Sequence, residues 1–220
     1  TFITIWIGQA VSILTSNVLQ MSIVWYITQK TASAALLALS TMLGFLPQGV
    51  LGLFVGVYID RYNRKTVMII SDLAIALAGM VLVFSAMWGE IPLWLIYVVL
   101  FIRSIGATFH TPALQAVTPL IVPREKLTQY NGFAQGFKSL SMVISPGLAA
   151  ALFSIWELDR IIMLDVIGAL LAVGVLCLVK IPSTVKEGSV NKAEIIREAK
   201  EGFRVLRSEP GLVELLVISI

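Results

Sequence analysis

Arg103, Lys138, Asp72, Asp165 and His110 each interrupt a stretch of chain that otherwise holds almost no charge. An ionised side chain at the centre of a membrane helix costs roughly 2.5–3.5 kcal/mol on insertion scales, so each one requires a partner or a polar cavity. Arg103 lies twelve residues beyond Ile91, near the middle of its stretch at about 1.5 Å per residue. There it either binds an anionic group or tunes a neighbouring carboxylate, or it forms an internal ion pair that fixes helix packing. Lys138, at comparable depth, either lines the same cavity or extends its stem toward water. Asp72, Asp165 and His110 are the proton-coupling candidates. For each there is also a plainer reading: Asp72 pairs with the basic residues before it, Asp165 forms an interfacial pair with Arg160 near the outer end of its stretch, and His110, the sole histidine, is a packing residue.

The elements that hold these groups are membrane helices. The chain is 58% hydrophobic and 13% charged, against about 45–50% and 25% in soluble domains. A bilayer core about 30 Å thick takes roughly 20 apolar residues per helix. Stretches of that length recur at 2–28, 33–59, 66–88, 91–117, 128–155 and 161–179. They are continuous apolar runs, not the short alternating segments of a barrel, so an all-α integral membrane protein is expected. In the first stretch Gln9, Ser12, Ser16 and Gln20 follow helical spacing with Asn17 beside them. Polar groups in lipid need partners, so this face is expected to turn inward toward a cavity. Pro47 beside Gly49 and Pro146 beside Gly147 interrupt the second and fifth stretches. If the helices form two repeats of three, these breaks correspond and point toward a transport path.

Lys and Arg set the orientation. Arg61, Arg64 and Lys65 follow the second stretch, Arg124 and Lys126 the fourth, and Lys180, Lys186, Lys192 and Arg197 the sixth. These connections share one side, which reads as the cytoplasm of a multi-pass protein in the cell membrane, with the N-terminus on the same side. The net charge of +3 is explained by this bias, with no nucleic-acid partner required. The first stretch lacks a basic leader and is too long for a signal peptide; the absence of Met before Thr1 suggests trimming. Cys177 is alone, which excludes an intrachain disulfide and a Cys-based metal site, and it is expected to be a small buried hydrophobe. No nucleophile–base pair, phosphate loop or metal-spaced ligand set is present, so neither enzyme activity nor a cofactor is expected.

Residues 1–181 read as the six-helix bundle. Residues 182–210 read as a loop carrying an amphipathic helix that begins at Asn191, with Glu194 completing a capping box, and 211–220 as the start of a seventh span.

Gly56, Asp60, Arg61, Arg64 and Lys65, in the pattern G-x-x-x-D-R-x-x-R-K, resemble the loop between helices two and three of major facilitator superfamily transporters. The glycine usual before the second Arg is Asn63, which is expected to take a left-handed backbone in its place. Arg103 followed by Gly106 is similar to the family's helix-four motif. Gly132, Ser141, Ser145, Pro146, Ala149 and Ala150 stand at the positions of its antiporter motif, with small residues for most of the glycines. Gly8–Ser12, Gly44–Pro47 and Leu100–Pro112, continuing to Pro119, look like the macrolide-efflux members. The resemblance implies the N-terminal half of a twelve-helix transporter. It implies export of lipophilic drugs such as macrolides, driven by a proton gradient and completed by a C-terminal half. Asp60 would meet a helix N-terminus of that half, Arg61, Arg64 and Lys65 would anchor the latch, and Gln9, Ser16, Asn17, Gln20, Arg103 and Lys138 would line the cavity. Export of a siderophore or other metabolite, and a non-transporting membrane half-protein, are the alternatives.

Overall fold

The computed structural model describes residues 2–181. The expected connector helix at 182–210 and the seventh span at 211–220 lie outside the described residues. Six α-helices make up the described chain: α1 (Phe2–Thr31), α2 (Ala34–Arg61), α3 (Arg64–Met87), α4 (Leu93–Ile121), α5 (Leu127–Ile155) and α6 (Leu158–Leu178), with one 3-10 turn at Arg124–Lys126. All six are long and apolar enough to cross a membrane. Each expected span is present, generally extended by a few residues, and Pro47, Pro112, Pro119 and Pro146 all lie inside continuous helices.

The breaks between helices have local causes. Ser33 caps α2, its Oγ accepting from Leu36 N at 3.5 Å. Asn63 caps α3, its Oδ1 accepting from Lys65 N at 3.0 Å. Its φ is −64°, so the left-handed backbone expected at this position is not what it adopts. Asn serves here through its side chain, which satisfies an orphan N–H of the first turn. Pro92 and Pro123, which lack an N–H, precede α4 and the 3-10 turn. Between α3 and α4, Gly89 takes φ +137°, a conformation open to glycine.

The helices pack in a single row by their main contacts: α5, α1, α6, α3, α4, α2. Exchanging α1 with α4, α2 with α5 and α3 with α6 reproduces this row in reverse, so the bundle is two three-helix repeats related by a pseudo-twofold. That places α2 and α5 at its two ends; Pro47 and Pro146, expected to interrupt them, do not break either helix. Apolar side chains form two clusters. One, around Ile5, Ile59, Met68, Val117 and Leu176, lies toward the end that carries Arg61–Lys65. The other, around Ile27, Leu82, Ile96, Leu158 and Ile161, lies toward the opposite end. Buried polar residues separate them. Cys177, expected inside, is exposed at the rim of α6.

Ala32, in the two-residue turn from α1 to α2, takes φ +47°. A left-handed backbone costs a Cβ-bearing residue about 1–2 kcal/mol. Ala32→Gly is expected to raise stability by about 0.5–1 kcal/mol, read as a higher thermal midpoint of the protein in detergent; an unchanged or lower midpoint would contradict the strain.

Candidate functional site

Three helices converge on one buried ion pair. Arg103 on α4 donates through Nη1 to Asp165 Oδ2 on α6 and through Nη2 to Ser16 Oγ on α1 at 3.3 Å. Ser16 Oγ in turn donates to Asp165 Oδ1 at 2.7 Å. Both carboxylate oxygens are therefore bonded, and Asp165 is 0% and Arg103 7% exposed. Burial of this kind is tolerated only when charges are paired and their remaining polar atoms satisfied. The pair overturns the expectation that Asp165 reaches Arg160 at the interface. For Arg103 it is the second of the two expected arrangements, an internal ion pair between helices. Asp165 lies seven residues into α6 and Arg103 ten into α4. At about 1.5 Å per residue, both sit some 10–15 Å from the same end, and comparing these depths is the signal that would have found the pair in the sequence.

The same face of α4 carries more of the polar belt. Ser104 Oγ donates to Gly44 O at 2.6 Å, in the turn of α2 just ahead of Pro47, and Thr108 Oγ1 donates back to Ser104 O. At Gly106 a Cβ would stand 2.8 Å from Ile75 Cγ1 and 3.3 Å from Ser71 O, so α3 and α4 approach here only because this residue is glycine. One turn further, His110 Nε2 faces Asp72 Oδ1 at 3.4 Å. That is ion-pair reach, but the alignment makes no hydrogen bond, and His110 Nε2 and Asp72 Oδ2 are both buried without a hydrogen-bond partner. Asp72 therefore does not pair with the basic loop.

Lys65 is committed elsewhere: its Nζ donates to Val179 O at 2.7 Å and to Cys177 O at 3.3 Å. A cation on the last carbonyls of α6 complements the negative end of the helix, and it ties the α2–α3 loop to α6. Asp60 Oδ1 lies 3.4 Å from Arg64 Nη2, and its side chain remains 74% exposed. At the opposite end, Lys30 bonds Glu90 at 2.8 Å. This hydrogen bond, helped by the adjacent charge, holds the Glu90 carboxyl below its ordinary range.

Other expected residues scatter. Of the α1 face, Gln9 is 1% exposed with both amide atoms unpartnered; Asn17 and Gln20 are half-buried, the Gln20 amide lying near Gly44. Ser141, Ser145 and Ala149 are buried on α5, whose main neighbour is α1; Trp6 meets Phe133 and Phe137 there at 4.7 and 5.1 Å between ring centres. Pro146 is half-buried, while Gly132 and Ala150 are exposed. Lys138 is exposed too, so it is not gathered with Arg103. Ser104 and the capping role of Lys65 were missed by sequence reasoning, since both act on carbonyls of distant helices.

The family model of the Major Facilitator Superfamily matches residues 5–220 of the sequence. The chain belongs to this family. It is thus a multi-pass membrane protein of a transporter family, not one of enzymes. It is 50% identical over 99% of its length to macrolide efflux protein A of Streptococcus pyogenes, covering 54% of that protein. It is 48% identical over 84% of its length to macrolide efflux protein A of Enterococcus faecalis, covering 57%. A 31% match over 61% of the chain links it to the uncharacterised transporter YkuC of Bacillus subtilis. The chain spans about half the length of the macrolide efflux proteins it matches, their N-terminal half.

Removing one partner of the central pair leaves a buried, uncompensated charge. Arg103→Met and Asp165→Leu are each expected to destabilise the protein by about 3–5 kcal/mol, and the double variant to recover most of that loss. Denaturant titrations in detergent read this directly; additive losses in the double variant would show that the two side chains do not support each other.

Proposed function

We propose that this chain is the N-terminal half of a secondary transporter that exports lipophilic drugs such as macrolides in exchange for protons, by alternating access against a second six-helix half. The observation that carries the reading is the identity of 50% to a macrolide efflux protein, spread over 99% of the chain. The packing supports it. The end helices α2 and α5 are the least covered of the six. On them Gly49, Gly52 and Gly56, and Gly132, Gly136 and Gly147, have nothing within 4 Å of a built Cβ. Faces this open and small are suited to a close-packed partner bundle. Asp60, 74% exposed at the rim beside Arg64, would meet a helix N-terminus of that partner as a conformational latch, with Arg61, Arg64 and Lys65 holding the loop. The basic end then faces the cytoplasm, and the N-terminus with it.

In macrolide-susceptible cells the complete transporter is expected to lower macrolide accumulation, and a protonophore to abolish that effect. Residues 1–220 alone should insert and export nothing. Asp60→Asn should reduce efflux several-fold at unchanged membrane abundance. Export that survives a protonophore overturns proton coupling, and wild-type efflux in Asp60→Asn overturns the latch.

Orientation has its own check. In a Cys177→Ala background, Trp88→Cys, at a position 92% exposed, is expected to react with an impermeant thiol reagent on intact cells. Glu125→Cys at the basic end should react only after permeabilisation, and the reverse pattern would invert the topology.

A further inference from the structure

Apart from the central ion pair, Asp72 and His110 are the described pair of buried, facing titratable side chains, at 3% and 8% exposure. Their positions make them unlike Arg103 and Asp165. In the central pair both carboxylate oxygens are engaged by good donors. In the second pair, Oδ1 and Nε2 stand 3.4 Å apart without a hydrogen bond, and Asp72 Oδ2 has no partner. Buried polar atoms are nearly always bonded, so each exception calls for an explanation, of which a chemical role is one.

The charged and titratable groups on the surrounding helices are committed to other partners. Lys65 of α3 caps α6, Arg103 of α4 and Asp165 of α6 hold each other, Asp60 of α2 lies against Arg64, and Tyr58 of α2 packs on Tyr62 and Phe109. Among the described residues, only His110 stands within ion-pair reach of Asp72.

We propose that Asp72 and His110 together form the site that carries the coupling proton; the proposal rests on the reading of a proton-driven exporter. On arrival an N–H bond forms at Nε2, which then donates to Asp72 Oδ1, and the net charge of the pair rises by one. On release that bond breaks, the proton passes to water and the charge falls back. No electron moves. A change of one charge in so dry a place alters how α3 and α4 prefer to pack, and their contact is tight at this level because of Gly106. The change is passed along α4. Arg103 lies seven residues from His110, about two turns or 10 Å, and Ser104 grips α2 beside its proline. Proton binding at one pair thereby bears on both the central ion pair and the end helix that faces the partner half.

Two measurements test this. In the complete transporter, Asp72→Asn and His110→Gln are each expected to lose uphill, proton-driven macrolide export at least tenfold while retaining downhill macrolide equilibration across proteoliposomes. Uphill export by both variants at wild-type rates overturns the proposal without touching the reading of a macrolide exporter. A wild type that moves no macrolide overturns that reading, and the second measurement then decides the site alone. Because His110 is the sole histidine, 15N-histidine-labelled protein in lipid nanodiscs reports its protonation directly. The imidazole signals are expected to report proton binding, and Asp72→Asn to alter that response, with Asp72→Glu restoring most of it. An imidazole whose titration ignores Asp72→Asn, or that never titrates, overturns the proposal even if both variants fail in transport through misfolding.

Discussion

A guanidinium in the middle of a membrane has few acceptable surroundings, and the arrangement of this bundle follows from supplying one. Arg103 brings α4 to α6 through Asp165 and to α1 through Ser16, whose hydroxyl joins both charged groups. Three helices from both repeats are thereby fixed in depth and rotation at one level. The apolar clusters on either side of that level are tied by isolated polar contacts, Tyr97 Oη to Leu36 O at 3.3 Å on one side and Lys65 Nζ to Val179 O at 2.7 Å on the other. Lipid tails are as apolar as Leu, so burial alone does little to hold membrane helices together. Close packing and a few satisfied polar contacts fix which helix meets which.

The pseudo-twofold row gives those contacts a consequence. With α3 and α6 adjacent at the centre and α2 and α5 at the ends, the interior helices are covered and the end helices are open. Proline falls in both end helices. In α2 the turn ahead of Pro47 is steadied by Ser104, so a helix with a lost backbone donor is held by a side chain of the neighbouring repeat. Proline does not set the ends apart, since α4 in the interior of the row holds Pro112 and Pro119; openness does.

The charged loop between α2 and α3 combines local and long-range roles. Asn63 caps the helix it begins, Lys65 caps the far end of α6, and Asp60 stays at the surface. Cation and carbonyl meet where the dipole of α6 ends. The loop is thus anchored by one of its charges while another remains presentable.

Much of this was legible in the residues themselves. Six apolar stretches of bilayer length, the one-sided Lys and Arg, and the isolation of Arg103 in an uncharged run each follow from short-range composition, and the transfer cost of charge into lipid makes such patterns unambiguous. What the sequence could not settle was partnership. Sequence proximity points Asp165 to Arg160, five residues away, whereas its partner lies 62 residues away on another helix. It points Asp72 to the nearby basic loop, whereas Asp72 faces His110. Analogy with glycine points Asn63 to a left-handed backbone, whereas its side chain caps a helix. For both carboxylates the depth in the membrane follows from the residues alone, because depth accumulates along one helix at about 1.5 Å per residue. The choice of partner depends on the rotation and neighbours of separate helices, and only their packing into the twofold row decided it.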